Sequence, residues 1–165
     1  MKNRFNERLR SITWEDYEIS EERRRELKYF CLQYREKKKA ILAPGDYGLR
    51  AVSFDGIGGS AIGGTSNPTE SLAIRNYLRS EKARRDCNLI EASAIWAANA
   101  GGYPRAWRAI LVSVTEGLGY EDILGRYVVP YGKTDFYAVR RAFYHRLDEL
   151  QKIEETRENK GSEGS

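Results

Sequence analysis

Apolar and polar positions recur at helical spacing through most of this chain, and helix breakers cut the pattern into segments. Phe136, Val139, Phe143, Leu147 and Leu150 share one narrow sector of a wheel turned by about 100 degrees per residue. That stripe predicts a helix from Gly132 to Leu150 with one face in a core. Upstream, Pro104 suits the opening of a helix that Gly117 closes, and Tyr120–Leu124 reads as a short helix between the two. Three helices in that order predict a helix-turn-helix domain over 102–150.

Opposite the core stripe lie Thr134, Tyr137, Ala138, Arg141 and His145, with Lys133 and Tyr144 on one flank. Arg140 falls nearer the core sector, its stem expected along the helix junction and its guanidinium at the rim. Arg and Lys pair with guanine edges or phosphates, Thr and Tyr donate to phosphate oxygens, and a small Ala138 lets a backbone approach. Lys133, Thr134, Tyr137, Arg140, Arg141, Tyr144 and His145 are therefore the candidate DNA-binding residues. The rings favour this reading over a merely solvated face, which would carry Lys and Glu.

Residues 1–43 read as an N-terminal helical segment. Phe5, Leu9 and Ile12 keep helical spacing, whereas Trp14, Tyr17 and Ile19 do not, which predicts a short helix and an irregular arm. Ser20, Glu21 and Glu22 make a capped start for a helix to about Lys39, with Leu27, Phe30, Cys31 and Tyr34 as its apolar stripe. The basic runs Arg23–Arg25 and Lys37–Lys39 read as solvated helix ends rather than as a second nucleic-acid contact.

Residues 44–67 are a Gly-rich linker with at most a short extended segment over Leu49–Phe54. Gly56, Gly58 and Ala61 match a dinucleotide-loop spacing, but no helix pattern follows, so nucleotide binding there is not expected. Asn67, Pro68 and Glu70 then start a long helix over 68–101, roughly 33 residues or about 50 Å. Its small-residue stripe, Ala73, Tyr77, Ser80, Ala83, Cys87, Ile90, Ala94 and Ala97, calls for a partner helix. Either the 20–39 helix folds back as an antiparallel hairpin, or a second copy supplies it in a homodimer. Residues 151–165 read as a disordered polar tail. The fold class is all-α, a long helical hairpin extension plus a C-terminal three-helix helix-turn-helix domain.

A net charge of +4 and a pI near 9.0 suit an anionic partner, yet both signs are spread along the chain, so charge adds little. No stretch has the apolar length of a signal peptide or a membrane span, which points to a soluble, cytoplasmic protein. Cys31 and Cys87 each sit among apolar neighbours and read as buried, reduced thiols. With one His and no C-x-x-C or H-E-x-x-H spacing, no metal and no cofactor is expected. His145 has no Ser, Cys or Asp in its sector to work with, so the chain does not read as an enzyme.

Several blocks, KYFCLQYREKK, YGLRAVSFDG, SNPTE, RRDCNLIEASAI, LVSVTEGLGYEDIL and PYGKTDFYAVRRAFYHRLDEL, resemble phage and prophage transcriptional regulators of the RinA and ArpU type from Gram-positive bacteria. The likeness covers about residues 27 to 150, and P-x-G followed by F-Y-x-x-R-R-x-F-Y is its most specific part. It implies a C-terminal helix-turn-helix similar to region four of bacterial sigma factors, double-stranded DNA as partner, and contact with host RNA polymerase. One departure stands out: the turn GRYVVPYG is longer than a sigma-like turn and carries Val128 and Val129, which read as buried. The expected function is a sequence-specific DNA-binding phage transcriptional regulator that reads DNA with the 132–150 helix. The alternative is a phage-encoded protein-binding factor that targets host machinery, such as RNA polymerase or a defence nuclease, as an anti-CRISPR-like inhibitor does.

Overall fold

The chemistry at the segment ends decides where helices start and stop. In the computed structural model, which describes residues 6–42 and 68–162, every regular element is helical. The order is α1 (Arg8–Ser11), α2 (Glu21–Leu32), α3 (Tyr34–Leu42), α4 (Pro68–Ala100), a single 3-10 turn (Pro104–Ala106), α5 (Trp107–Glu116), α6 (Tyr120–Leu124) and α7 (Lys133–Ser162). The Gly-rich linker, its Gly56, Gly58 and Ala61, the Leu49–Phe54 segment and the Asn67 cap lie outside the described residues.

Ser20 Oγ accepts from the Arg23 N–H at 3.1 Å and so caps α2. The helix expected to run on to about Lys39 is broken at Gln33 into α2 and α3. At the end of α5, Gly117 takes the left-handed conformation (φ 70°) that glycine adopts without strain. The Leu118 N–H then returns to the Ser113 carbonyl, and Ser113 Oγ donates to the Leu118 carbonyl at 2.8 Å. Asp122 accepts from the Gly119 N–H at 3.0 Å and starts α6.

The chain divides into two compact units: residues up to Tyr34 together with those from Asn88 onward, and Arg35–Cys87. The first holds the main core. Leu27 and Cys31 of α2, Ile90, Ala94 and Ala97 of α4, Ile110 and Val114 of α5, Ile123 of α6 and Phe136, Val139, Phe143 and Leu147 of α7 are all buried together. Within this unit α7 packs against α1, α2, α5 and α6. In the second unit, Ala40, Ser80, Ala83 and Cys87 are buried, Ala73 and Tyr77 are exposed, and Lys37 Nζ pairs with Asp86 Oδ2 at 2.9 Å. Both cysteines are buried free thiols, and among the described residues no helix is long and apolar enough to cross a membrane.

Two stretches differ from expectation. The 151–165 segment, read as a disordered tail, is helical as far as Ser162, because α7 meets no Gly or Pro until Gly161 in its last turn. Arg157 pairs with Glu154 at 2.9 Å, and Gln151 accepts from Arg23 at 2.8 Å. In the turn before α7, Val128 is 94% exposed, whereas Val129 is partly buried against the core.

Just past α4, Gly101 leaves no room for a side chain, since a Cβ there would lie 2.8 Å from Val139 Cγ2. Gly101→Ala is expected to lower stability by about 1–3 kcal/mol, the usual result of overpacking a filled site. A thermal melt beside the parent chain checks this, and an unchanged midpoint would show that Val139 can retreat.

Candidate functional site

The first turns of α7 are fixed by two tyrosines. Tyr120 Oη donates to the Tyr131 carbonyl at 2.8 Å, and the Tyr120 N–H donates to Tyr137 Oη at 3.3 Å. Lys133 and Thr134 stand exposed at the start of the helix, with Tyr137 half-buried one turn on. The Lys133 ammonium reaches the Glu121 carboxylate only at 3.5 Å, and both side chains are largely in water. Such a pair costs little to exchange for another anion.

Farther along, α7 departs from the wheel reading. Ala138, Ala142 and Tyr144 are as buried as the core stripe, because the N-terminal segment lies over the side expected to face out. Arg10 pairs with Asp135 through both nitrogens of a fork, one bond measuring 2.9 Å. Arg141 Nε donates to the Ile12 carbonyl at 3.1 Å, Trp14 tilts over Tyr144 at 6.0 Å, and Tyr17 stacks on His145 at 4.3 Å. Burial pushes the Tyr144 hydroxyl up to about 12, so it stays protonated. His145 also lies 3.4 Å from Glu149.

Between the arm, α2 and α7 opens a hollow of about 510 Å³ lined by Trp14, Glu21, Arg24, Arg25, Lys28, Tyr137, Arg140, Arg141 and Tyr144. Five cations thus face it and one carboxylate. Arg25 pairs with that carboxylate, Glu21. Arg140 Nη1 donates to the Leu118 carbonyl at 3.1 Å, while its guanidinium sits 5.5 Å from the Tyr137 ring centre. Arg24 lies 5.0 Å over Trp14, and its Nε is buried with no hydrogen-bond partner among the described residues.

Of the seven residues named from sequence, Tyr137, Arg140, Arg141 and Tyr144 therefore meet at the hollow. Lys133 and Thr134 stand exposed at the helix start, Lys133 near Glu121, and His145 lies under Tyr17. The sequence reading placed Arg24 and Arg25 in a solvated helix end and Trp14 in an irregular arm, and did not single out Lys28. The available signal was spacing: Arg24, Arg25 and Lys28 share one helix face at separations of three and four.

Among the described residues no group of His, Cys, Asp and Glu could hold a metal ion. Compared with protein-family models, with curated proteins and with solved structures, the chain finds no match.

Proposed function

We propose that this chain is a DNA-binding transcriptional regulator that meets a groove with the first turns of α7. The observation that carries the reading is the exposed pair Lys133 and Thr134 at the start of a long helix anchored in the core behind them. Donors at a helix N-terminus favour phosphate, and a short preceding helix such as α6 leaves that end open to a duplex. Lys133, Thr134 and Tyr137 are assigned to the groove, and Arg140 and Arg141 to backbone phosphates at its edge. Tyr144 and His145 reach DNA only if the N-terminal segment moves, because Trp14 and Tyr17 cover them. The role in phage gene control rests on the sequence resemblance described above.

Titration of the full chain with fluorescent duplex from its own upstream region, and with scrambled duplex, over a salt series tests this. A preference of about a thousandfold for the native duplex is expected. Lys133→Ala should weaken binding to both duplexes and flatten the salt slope by about one. Equal, steeply salt-sensitive binding to both duplexes would reduce the reading to a basic face without sequence recognition. Absence of binding would overturn it and move attention to a protein partner at Tyr29 and Leu32, which stand 67% and 48% exposed on one side of α2.

A further inference from the structure

We propose that the hollow between the N-terminal segment, α2 and α7 is a binding site for a free nucleoside oligophosphate. This small-molecule site shares Tyr137, Arg140 and Arg141 with the proposed DNA face but not Lys133 and Thr134. Four observations support it.

The first is charge. Arg24, Arg25, Lys28, Arg140 and Arg141 converge on one cavity against a single lining carboxylate, Glu21. Among the described residues, Arg24, Lys28, Arg140 and Arg141 form no ion pair, although Glu15 feels the charge of Arg24 from outside the lining. Cations gathered this way repel one another unless an anion joins them.

The second is preparation of the donors. A guanidinium has five N–H donors in a fixed fork. Arg141 gives Nε to the Ile12 carbonyl, and Arg140 gives Nη1 to the Leu118 carbonyl and also bonds the Tyr144 hydroxyl, which orients both groups at the edge of the hollow. Anchored forks of this kind match phosphate oxygens with little ordering left to do.

The third is Arg24 itself. Its guanidinium is held over Trp14 at the wall of the hollow, and its Nε is buried with no acceptor among the described residues. With Nε withdrawn and no ion pair among the described residues, the charge of this guanidinium is left for an anion in the hollow to meet through its terminal nitrogens.

The fourth is size and lining. About 510 Å³ is the volume of a small-molecule site and far more than one phosphate fills. Trp14, Tyr137 and Tyr144 supply aromatic wall beside the cations. That combination suits a molecule with a polyanionic end and a flat, apolar-faced end, as a nucleoside oligophosphate has.

Calorimetric titration of the full chain with ATP, with tripolyphosphate and with adenosine tests the assignment. ATP should bind saturably at one site, tripolyphosphate more weakly and adenosine most weakly. Arg25→Glu and Lys28→Glu, both at exposed positions on α2, should each weaken ATP by about tenfold or more with unchanged circular dichroism. Lys133→Ala should leave ATP binding alone, so this result and the DNA result can fail independently. The proposal is overturned if ATP shows no saturable binding, or if tripolyphosphate matches ATP. It is also overturned if the α2 variants bind as the parent does. A single-stranded oligonucleotide without terminal phosphates that binds as tightly as ATP at equal phosphate would likewise overturn it, since the hollow would then be strand-binding surface.

Discussion

Phe143→Ala should lower the unfolding free energy by about 3–5 kcal/mol. Phe143 is completely buried, its ring set edge-on to Tyr144 at 5.1 Å, amid residues from every helix of the main core. Truncation removes that apolar surface from the fold and leaves a cavity that helices fixed on several sides cannot close. Against a typical total of about 5–15 kcal/mol, the loss is a large fraction. Urea denaturation should show a lower midpoint with an unchanged slope. Leu124→Ala, at a position 43% exposed, should shift the midpoint by no more than about 0.5 kcal/mol. Equal effects at the two positions would mean that the core is not organised around α7.

Asp148→Ala should cost about 3 kcal/mol, the lower end of the range for breaking a buried ion pair. Asp148 is only 3% exposed, and it holds Arg23 Nε and Lys152 Nζ, each at 2.7 Å. Arg23, left without it, keeps Glu26 and Gln151 but loses the charge that ties α2 to α7. Burial works to raise the carboxyl pKa, while the hydrogen bonds and charges of Lys152 and Arg23 outweigh it and hold the group below its ordinary value. A group depressed in the fold stabilises fully above its unfolded pKa, near 3.9 for Asp, and loses that contribution as pH falls through the lower folded value. The parent chain should therefore weaken as the pH drops below about 4, and Asp148→Asn should remove part of that acid dependence. Denaturation midpoints at several pH values check both statements. Glu26→Ala, at an exposed partner of the same arginine, should change stability by less than about 1 kcal/mol.

Helix positions were legible where one residue type dictates local geometry. Gly117, Ser20 and the α7 positions Phe136, Val139, Phe143 and Leu147 fall where propensity and periodicity put them, because each is decided by a cap or by one buried face, whereas Leu150 at the end of the stripe is only partly buried. What periodicity cannot see is a second cover on the same helix. Ala138 and Tyr144 were assigned to the outside because a wheel places only one buried side, and the arm that buries the other has no period of its own. Ile12, Trp14 and Tyr17 reach α7 from an irregular segment far away in sequence. The hollow was hidden for the same reason. Arg24, Arg25 and Lys28 look like a solvated helix face until the partner helix brings Arg140 and Arg141 opposite them.

The bonds from Arg10 to Asp135 and from Arg23 to Asp148 each join residues 125 positions apart, and Arg141 meets Ile12 across 129. A ribosome therefore releases the first helices well before their partners exist. At about 5–20 residues per second, the wait is on the order of ten seconds. During that interval Leu27 and Cys31 have no α7 to rest on, and folding cannot proceed outward from the N-terminus. A nascent chain stopped before α7 should behave as a chaperone client, and the rate of folding should be governed by closure of α7 onto α1 and α2.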